Sequence, residues 1–272
     1  MITNALCSAE LAMPRHPDLG RVQRAADLLA GSVTLVGLTD NHTARARLSP
    51  LAAVGLCRER GLEAVVHVSL RDRTRLGLQQ QVLGAAGLGA AGVLVVRGDA
   101  GAGRAAGAPS VAEALAAIPG WVAPLALLRG SVVNPFADRR RELHLLERKV
   151  AAGVDFVQTQ MVFDLVAFDQ FLGDLAGVLP PTVTVFASVG VIRSARSLEF
   201  VRRALPDCPV PEHYADRISA GGGAEVAMEI AGELGARPEL RLHVISLGAE
   251  GHAARICAEF RARRLGLLAA AG

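Results

Sequence analysis

The stretch Val157-Gln158-Thr159-Gln160-Met161-Val162-Phe163-Asp164 decides how this chain is read. An apolar run beginning at Val154 ends in two amides and a hydroxyl, and a helical pattern starts near Leu165. A short, nearly continuous apolar run is what a parallel strand buried on both faces looks like. Polar groups at the carboxyl end of such a strand are where an α/β barrel keeps its chemistry. Taken alone, Gln158, Thr159 and Gln160 could equally cap the strand or begin a turn. Several other segments of the chain end the same way.

Working outward, β-rich runs alternate with amphipathic ones. The strands are expected at Ala5–Leu11, Val33–Leu38, Ala64–Leu70, Gly92–Arg97, Ser131–Asn134, Val154–Gln160, Val183–Val189 and Leu240–Leu247. The fifth is the least defined, because Trp121–Leu128 is more apolar than Ser131–Asn134 and could hold or share it. Helices are expected at Asp18–Ala30, Pro50–Arg60, Arg73–Leu88, Val111–Ala117, Arg139–Ala152, Leu165–Leu175, Ser194–Arg203, Glu212–Leu234 in two pieces, and Gly251–Arg264. Eight strand–helix units in 272 residues predict an α/β fold, a (β/α)8 TIM barrel, as a single domain over residues 1–272. The Gly/Ala-rich stretch 98–109 reads as a loop after the fourth strand rather than a linker or a dinucleotide fingerprint.

Bulk composition narrows the function. A hydrophobic content of 51% with 20% charged residues excludes a disordered chain. A net charge of +3 from 29 basic and 26 acidic residues is too balanced for a nucleic-acid partner. The low-charge stretch Val82–Val96 is glycine-interrupted and too short to span a bilayer, and the amino terminus has no signal-peptide pattern. Cys7, Cys57, Cys208 and Cys257 are far apart and form no CxxC, so no metal site is expected and the thiols read as reduced, in a cytoplasmic protein.

If the barrel forms, its strand ends bring distant polar residues together. These are Glu10, Thr39-Asp40-Asn41, His67 and Ser69, Arg71-Asp72, Arg97-Gly98-Asp99, Asn134-Pro135, Gln158 and Gln160, Ser188, and His243 with Ser246. Glu10 stands in an apolar strand, where a carboxylate must be paired or protonated. Burial would raise its pKa, which suits a general acid; the bland alternative is an ion pair with an arginine. Asp99 could accept from adjacent N–H donors of a heterocycle, or pair with Arg97. Gln160 offers both donor and acceptor, as an amide-like ring edge requires. No nucleophile triad, HExxH or phosphate loop is present.

These residues carry a resemblance. The segments Gly37 to Ser49, Arg71-Asp72-Arg73-Thr74-Arg75, Arg97-Gly98-Asp99, Asn134-Pro135 and Leu146 to Gln160 resemble the methylenetetrahydrofolate reductase family. The nearest branch is the short bacterial one of acetogens and of fusions with homocysteine methyltransferase. The resemblance implies a barrel holding a flavin, FAD or FMN, at its strand ends, with NADH or NADPH as donor and a folate as substrate. It places the protein in one-carbon metabolism and methionine biosynthesis. It implies that Glu10 protonates a nitrogen of the methylene-folate, that Asp99 lies near the pterin and the flavin pyrimidine, and that Gln160 contacts folate. It assigns Thr39, His67, Arg97, Gly98, Asp99, Asn134, Arg148 and Lys149 to the cofactor, with Arg148 and Lys149 facing its phosphate. The chain departs from the family after strand seven, where Gly190-Val191-Ile192-Arg193 lacks the usual proline, and in its aromatic content of 4%.

The leading expectation is therefore a flavin-dependent reductase of 5,10-methylenetetrahydrofolate. The alternatives are a flavin-free folate-dependent one-carbon transferase and a non-catalytic folate-binding subunit. Association with copies of itself or with a partner subunit is not legible in the residues.

Overall fold

In a computed structural model, eight parallel strands close on themselves in the order of the chain. The structure describes residues 5–98, 105 and 107–270. The strands are β1 (Cys7–Leu11), β2 (Leu35–Leu38), β3 (Glu63–Ser69), β4 (Gly92–Val96), β5 (Leu128–Val133), β6 (Phe156–Met161), β7 (Thr184–Gly190) and β8 (Leu240–Ile245). β1 closes on β8 through Cys7↔Leu242, Ser8↔His243 and Ala9↔Val244. The expected (β/α)8 barrel is present.

The outer ring is α1 (Leu19–Leu29), α2 (Leu51–Arg58), α3 (Arg75–Gly87), α4 (Val111–Val122), α5 (Arg139–Ala151) and α6 (Leu165–Leu175), then α7 (Ala195–Ala204), α8 (Glu212–Ser219), α9 (Gly223–Gly235) and α10 (Glu250–Ala270). Most bury a stripe against the strands, and α8 packs on α7 and α9. On α1 the buried residues are Val22, Ala26 and Leu29, at the i, i+4, i+7 spacing of one helix face. The Asp18 side chain starts that helix by accepting from Arg21 N at 2.9 Å. Three helices, α7 to α9, join β7 to β8. The last begins at Gly223, where a β-carbon would lie 1.7 Å from the Ile192 carbonyl oxygen, so only glycine lets it approach the end of β7.

Two expectations need correction. The fifth strand begins at Leu128, three residues before the expected Ser131, and Trp121 belongs to α4 instead. That helix runs past the expected Ala117 to Val122, straight through Pro119. Proline has no N–H to give the carbonyl four residues back, which normally ends a helix. Here the freed Leu115 carbonyl accepts from Arg129 Nη1 at 3.3 Å, and the same guanidinium also holds Asp155 and the Ala152 carbonyl. A residue on the next strand therefore completes the helix, which no local pattern reveals.

The main core lies between helices and strands. A second, smaller cluster fills the base of the barrel with Ala5, Leu35, Val65, Leu94, Phe156 and Phe186. Phe156 meets Phe186 edge to face at 6.0 Å. Gly130 makes room for it, because a β-carbon there would fall 2.1 Å from the Phe156 ring. This plug fills the end of the barrel opposite the carboxyl ends of the strands, where such barrels keep their sites. All four cysteines are free and buried. Among the described residues, no helix is long and apolar enough to cross a membrane.

Candidate functional site

Strand alternation fixes which residues face inward above the plug. Two residues on from Leu35, Val65, Phe156 and Phe186 come Gly37, His67, Gln158 and Ser188. His243 closes this layer, and Glu10 lies next to Gly37 across the β1–β2 pair. The interior therefore changes from wholly apolar to mostly polar within one layer.

His243 is held on two sides. Its Nδ1 shares a hydrogen bond with Ser8 Oγ at 2.8 Å and lies 3.5 Å from Gln158 Nε2. Burial, reinforced by the nearby His67, lowers its pKa to about 3, so the ring is neutral. His67 is also neutral. Burial, helped by His42, lowers its pKa to about 4. Its Nε2 is buried with no hydrogen-bond partner, as is Ser188 Oγ. The ring leans over Gly37, whose missing β-carbon would sit 2.7 Å from His67 Nε2 and 3.6 Å from His243 Cε1.

Glu10, opposite Gly37 and two residues on from Ser8, is half-buried. Among the described residues no hydrogen bond or ion pair reaches its carboxyl, so no described arginine pairs with it. Burial raises its pKa to about 7. An acid with that pKa is about half protonated at neutral pH and can deliver a proton.

The other expected residues divide between rim and framework. Thr39 is buried, and its hydroxyl accepts from Met13 N at 3.0 Å. Gly98 has φ +88°, and a β-carbon there would overlap Ser69 Oγ at 2.2 Å, so this turn demands glycine. Arg97 is exposed beside it, and Asp99 lies outside the described residues. Asn134 follows β5. Its side chain accepts from Phe136 N, and its own N–H donates to Glu142 Oε1 at 3.0 Å. Lys149 is buried on α5 and donates to the Val132 carbonyl at 2.6 Å. Burial lowers its pKa, Glu142 opposes that, and Arg97 adds to it, so Arg97 and Lys149 share a neighbourhood. Arg148 is exposed. Consecutive helical residues diverge by about 100°, so Arg148 and Lys149 do not point together. Gln160 turns its Oε1 back onto Met161 N at 2.9 Å, just where β6 slips register against β7.

Ser8, Gly37 and the pairing of Asp40 with Arg73 were not singled out from the residues. Ser8 could have been found, since it lies two positions before Glu10 and so on the same strand face. Gly37, a glycine inside a strand, signals close approach by a neighbour. Asp40 and Arg73 form a buried clip that fastens the end of β2 to that of β3. The Asp40 carboxylate accepts from Ser69 N at 2.9 Å and from both Arg73 Nη atoms. The loop that follows carries positive φ at Asn41, Thr43 and Ala44, backbone strain of a kind that collects at working sites.

Comparison with known proteins agrees with this arrangement. The sequence profile described as methylenetetrahydrofolate reductase matches residues 3–261. No curated protein sequence matches the chain. Among solved structures, a Clostridium thermocellum protein that binds two copies of 5-methyl-5,6,7,8-tetrahydrofolic acid superposes with a TM-score of 0.72 at 14% identity, covering 96% of each chain. Mycobacterium tuberculosis tryptophan synthase follows at 0.58 and 18%, covering 96% of this chain and 93% of that one. A Toxoplasma gondii putative deoxyribose-phosphate aldolase scores 0.54 at 11%, with coverages of 96% and 93%. At such identities these likenesses concern the barrel alone. The profile match is of another kind: it covers nearly the whole length of the chain, and by it the chain belongs to the methylenetetrahydrofolate reductase family.

Proposed function

We propose that this protein reduces 5,10-methylenetetrahydrofolate to 5-methyltetrahydrofolate, with a bound flavin carrying electrons from a reduced nicotinamide. The observation that carries the reading is Glu10, an acid of pKa about 7 with no partner among the described residues, in a barrel plugged below. The family membership and the methyltetrahydrofolate bound by the Clostridium barrel support the folate.

The residues present fit a flavin. The orphaned Nε2 of buried His67 offers a polar contact, and the Gly98 turn lets backbone come close. Arg97 and Lys149 supply positive charge for a phosphate. Thr39, Asn134 and Arg148 are proposed as further contacts, and Asp99 as a partner of both cofactor and pterin. A flavin held there supplies the hydride chemistry.

The chain's own work is proton delivery and orientation. Glu10 gives its proton to a ring nitrogen of the methylene bridge, opening the five-membered ring to an iminium that accepts a hydride. Gln160 is proposed to hold the pterin edge. The Ser8–His243 pair fixes the wall beneath Glu10, and because His243 stays neutral it does not draw the proton away by charge.

A second reading has its own support. The sole Trp and Tyr, Trp121 and Tyr214, lie on α4 and α8, not at the strand ends, so neither stacks a ring at the mouth. This favours a flavin-free folate enzyme. Visible absorbance after flavin addition separates the two. A yellow protein bleached by reduced nicotinamide and reoxidised by methylenetetrahydrofolate supports the reductase. A protein that stays colourless but binds folate supports the second reading.

A further inference from the structure

Between β7 and β8 stand three helices, whereas each other strand is followed by a single α-helix. The middle one, α8, packs on both α7 and α9, so the three lie side by side. Their two edges carry opposite charge. On α7, Leu198 and Val201 are buried, and Arg196, Phe200 and Arg203 recur at i, i+4 and i+7 on the opposite, exposed face. Arg193 and Arg202 are exposed beside them, against one acid, Glu199. On α9, Glu225, Glu229 and Glu233 recur every four residues on the exposed face, and the helix has no basic residue. Among the described residues none of these four arginines makes an ion pair or a side-chain hydrogen bond, and neither do Glu225 and Glu233. Glu229 is held by Arg217 of α8 at 2.8 Å. Phe200, within the basic edge, is 46% exposed.

The two edges match in height and spacing. Gly223 opens α9 against the Ile192 carbonyl, just before α7 begins at Ala195. Both helices then run back along the barrel, since α7 leaves the end of β7 and α9 leads to the start of β8. At 1.5 Å per residue, Arg196 and Arg203 are about 10 Å apart along α7, and Glu225 and Glu233 about 12 Å apart along α9.

Within one chain α8 keeps the edges apart. A second copy, turned about a two-fold axis running along α8, brings them together. That rotation keeps height and exchanges left for right, so α7 of each copy meets α9 of the other. Arg196 then stands level with Glu225, and Arg203 with Glu233. An axis across the helices instead sets α7 on α7, where like charges oppose it. Phe200 gives the contact an aromatic anchor. A face about 30 Å wide and 15–20 Å long covers about 500 Å² per copy, at the low end for a specific interface.

We infer that the α7–α8–α9 face binds a second copy of this chain, with Arg196 and Arg203 of each protomer against Glu225 and Glu233 of the other. The dimer is modest in area and sensitive to salt.

Sedimentation velocity tests this on the wild type, on Arg196→Glu/Arg203→Glu and on Glu225→Arg/Glu233→Arg, with circular dichroism to confirm folding. The 28.3 kDa chain should dimerise with rising concentration. Its dissociation constant should rise about 10-fold between about 50 and 500 mM salt. Each reversal variant alone should be monomeric. Their equimolar mixture should dimerise again, because every reversed charge meets its opposite. A monomeric wild type in low salt, or a dimer indifferent to salt, overturns the inference. So does a reversal variant with the wild-type dissociation constant, or a mixture that stays monomeric. Should a reversal variant fail to fold, Phe200→Ala replaces it: dimerisation weakened about 10-fold supports the inference, and an unchanged constant overturns it.

Discussion

His67 reaches into the barrel because residue 37 is glycine. A β-carbon on Gly37 would stand 2.7 Å from His67 Nε2, closer than such atoms approach. Gly37 pairs with Val65 across β2–β3, and His67, two residues further along β3, leans its ring over the glycine. The strand glycine is thus part of the site, although it contributes no functional group.

Gly37→Ala should displace the His67 ring while leaving most of the fold intact. The expected loss is about 1–2 kcal/mol of stability, typical of mild overpacking. Flavin retention should weaken more than stability does, because the ring is the part that moves. Denaturant titration and flavin dissociation, measured on the same preparation, check this. A variant with unchanged flavin affinity would show that His67 does not contact the cofactor.

Arg73 supports the mouth from outside. Removing it in Arg73→Ala leaves the Asp40 carboxylate, 3% exposed, buried without its cation. Breaking a buried pair from one side costs about 3–5 kcal/mol. Urea denaturation should record that loss. A loss under about 1 kcal/mol would mean that the Ser69 N–H alone satisfies Asp40.

How much of this could be read beforehand depended on range. Alternating apolar runs and helix caps are local, so the barrel and most of its elements follow from the residues. The end of α4 does not, because the partner of the Leu115 carbonyl, Arg129, comes from the following strand. At the site, Glu10 and His67 stand out as polar residues in apolar strands. The Ser8–His243 bond spans 235 positions and depends on β1 meeting β8, which only closure of the barrel provides. Arg148 and Lys149 are adjacent in sequence, and helical geometry sends one to solvent and the other beneath Val132.

The raised pKa of Glu10 has a consequence for stability. Burial favours the protonated acid, so the folded state holds this proton more tightly than the unfolded chain does. The resulting stability is complete below the ordinary value of 4.5 and is lost as pH rises through about 7. Glu10→Gln carries no such dependence. Relative to wild type it should gain about 1–3 kcal/mol between pH 4.5 and pH 8, the lower figure allowing for solvent at the half-buried carboxyl. Denaturation of both proteins at the two pH values gives the difference. A difference that does not change with pH would mean that Glu10 titrates normally.

The central claim is that Glu10 is the proton donor to the folate, and stopped-flow kinetics of the two half-reactions in Glu10→Gln test it most directly. Glutamine preserves size and hydrogen bonding but has no proton to give. Reduction by nicotinamide should proceed at a near-normal rate, since that step needs no acid. Reoxidation by methylenetetrahydrofolate should fall by about 10²-fold or more, the usual loss when a general acid is removed. In the wild type the same step should slow above about pH 7, as the carboxyl deprotonates. Folate reduction that survives within a few-fold in Glu10→Gln, with its pH profile unchanged, would contradict the account and assign the proton to another group.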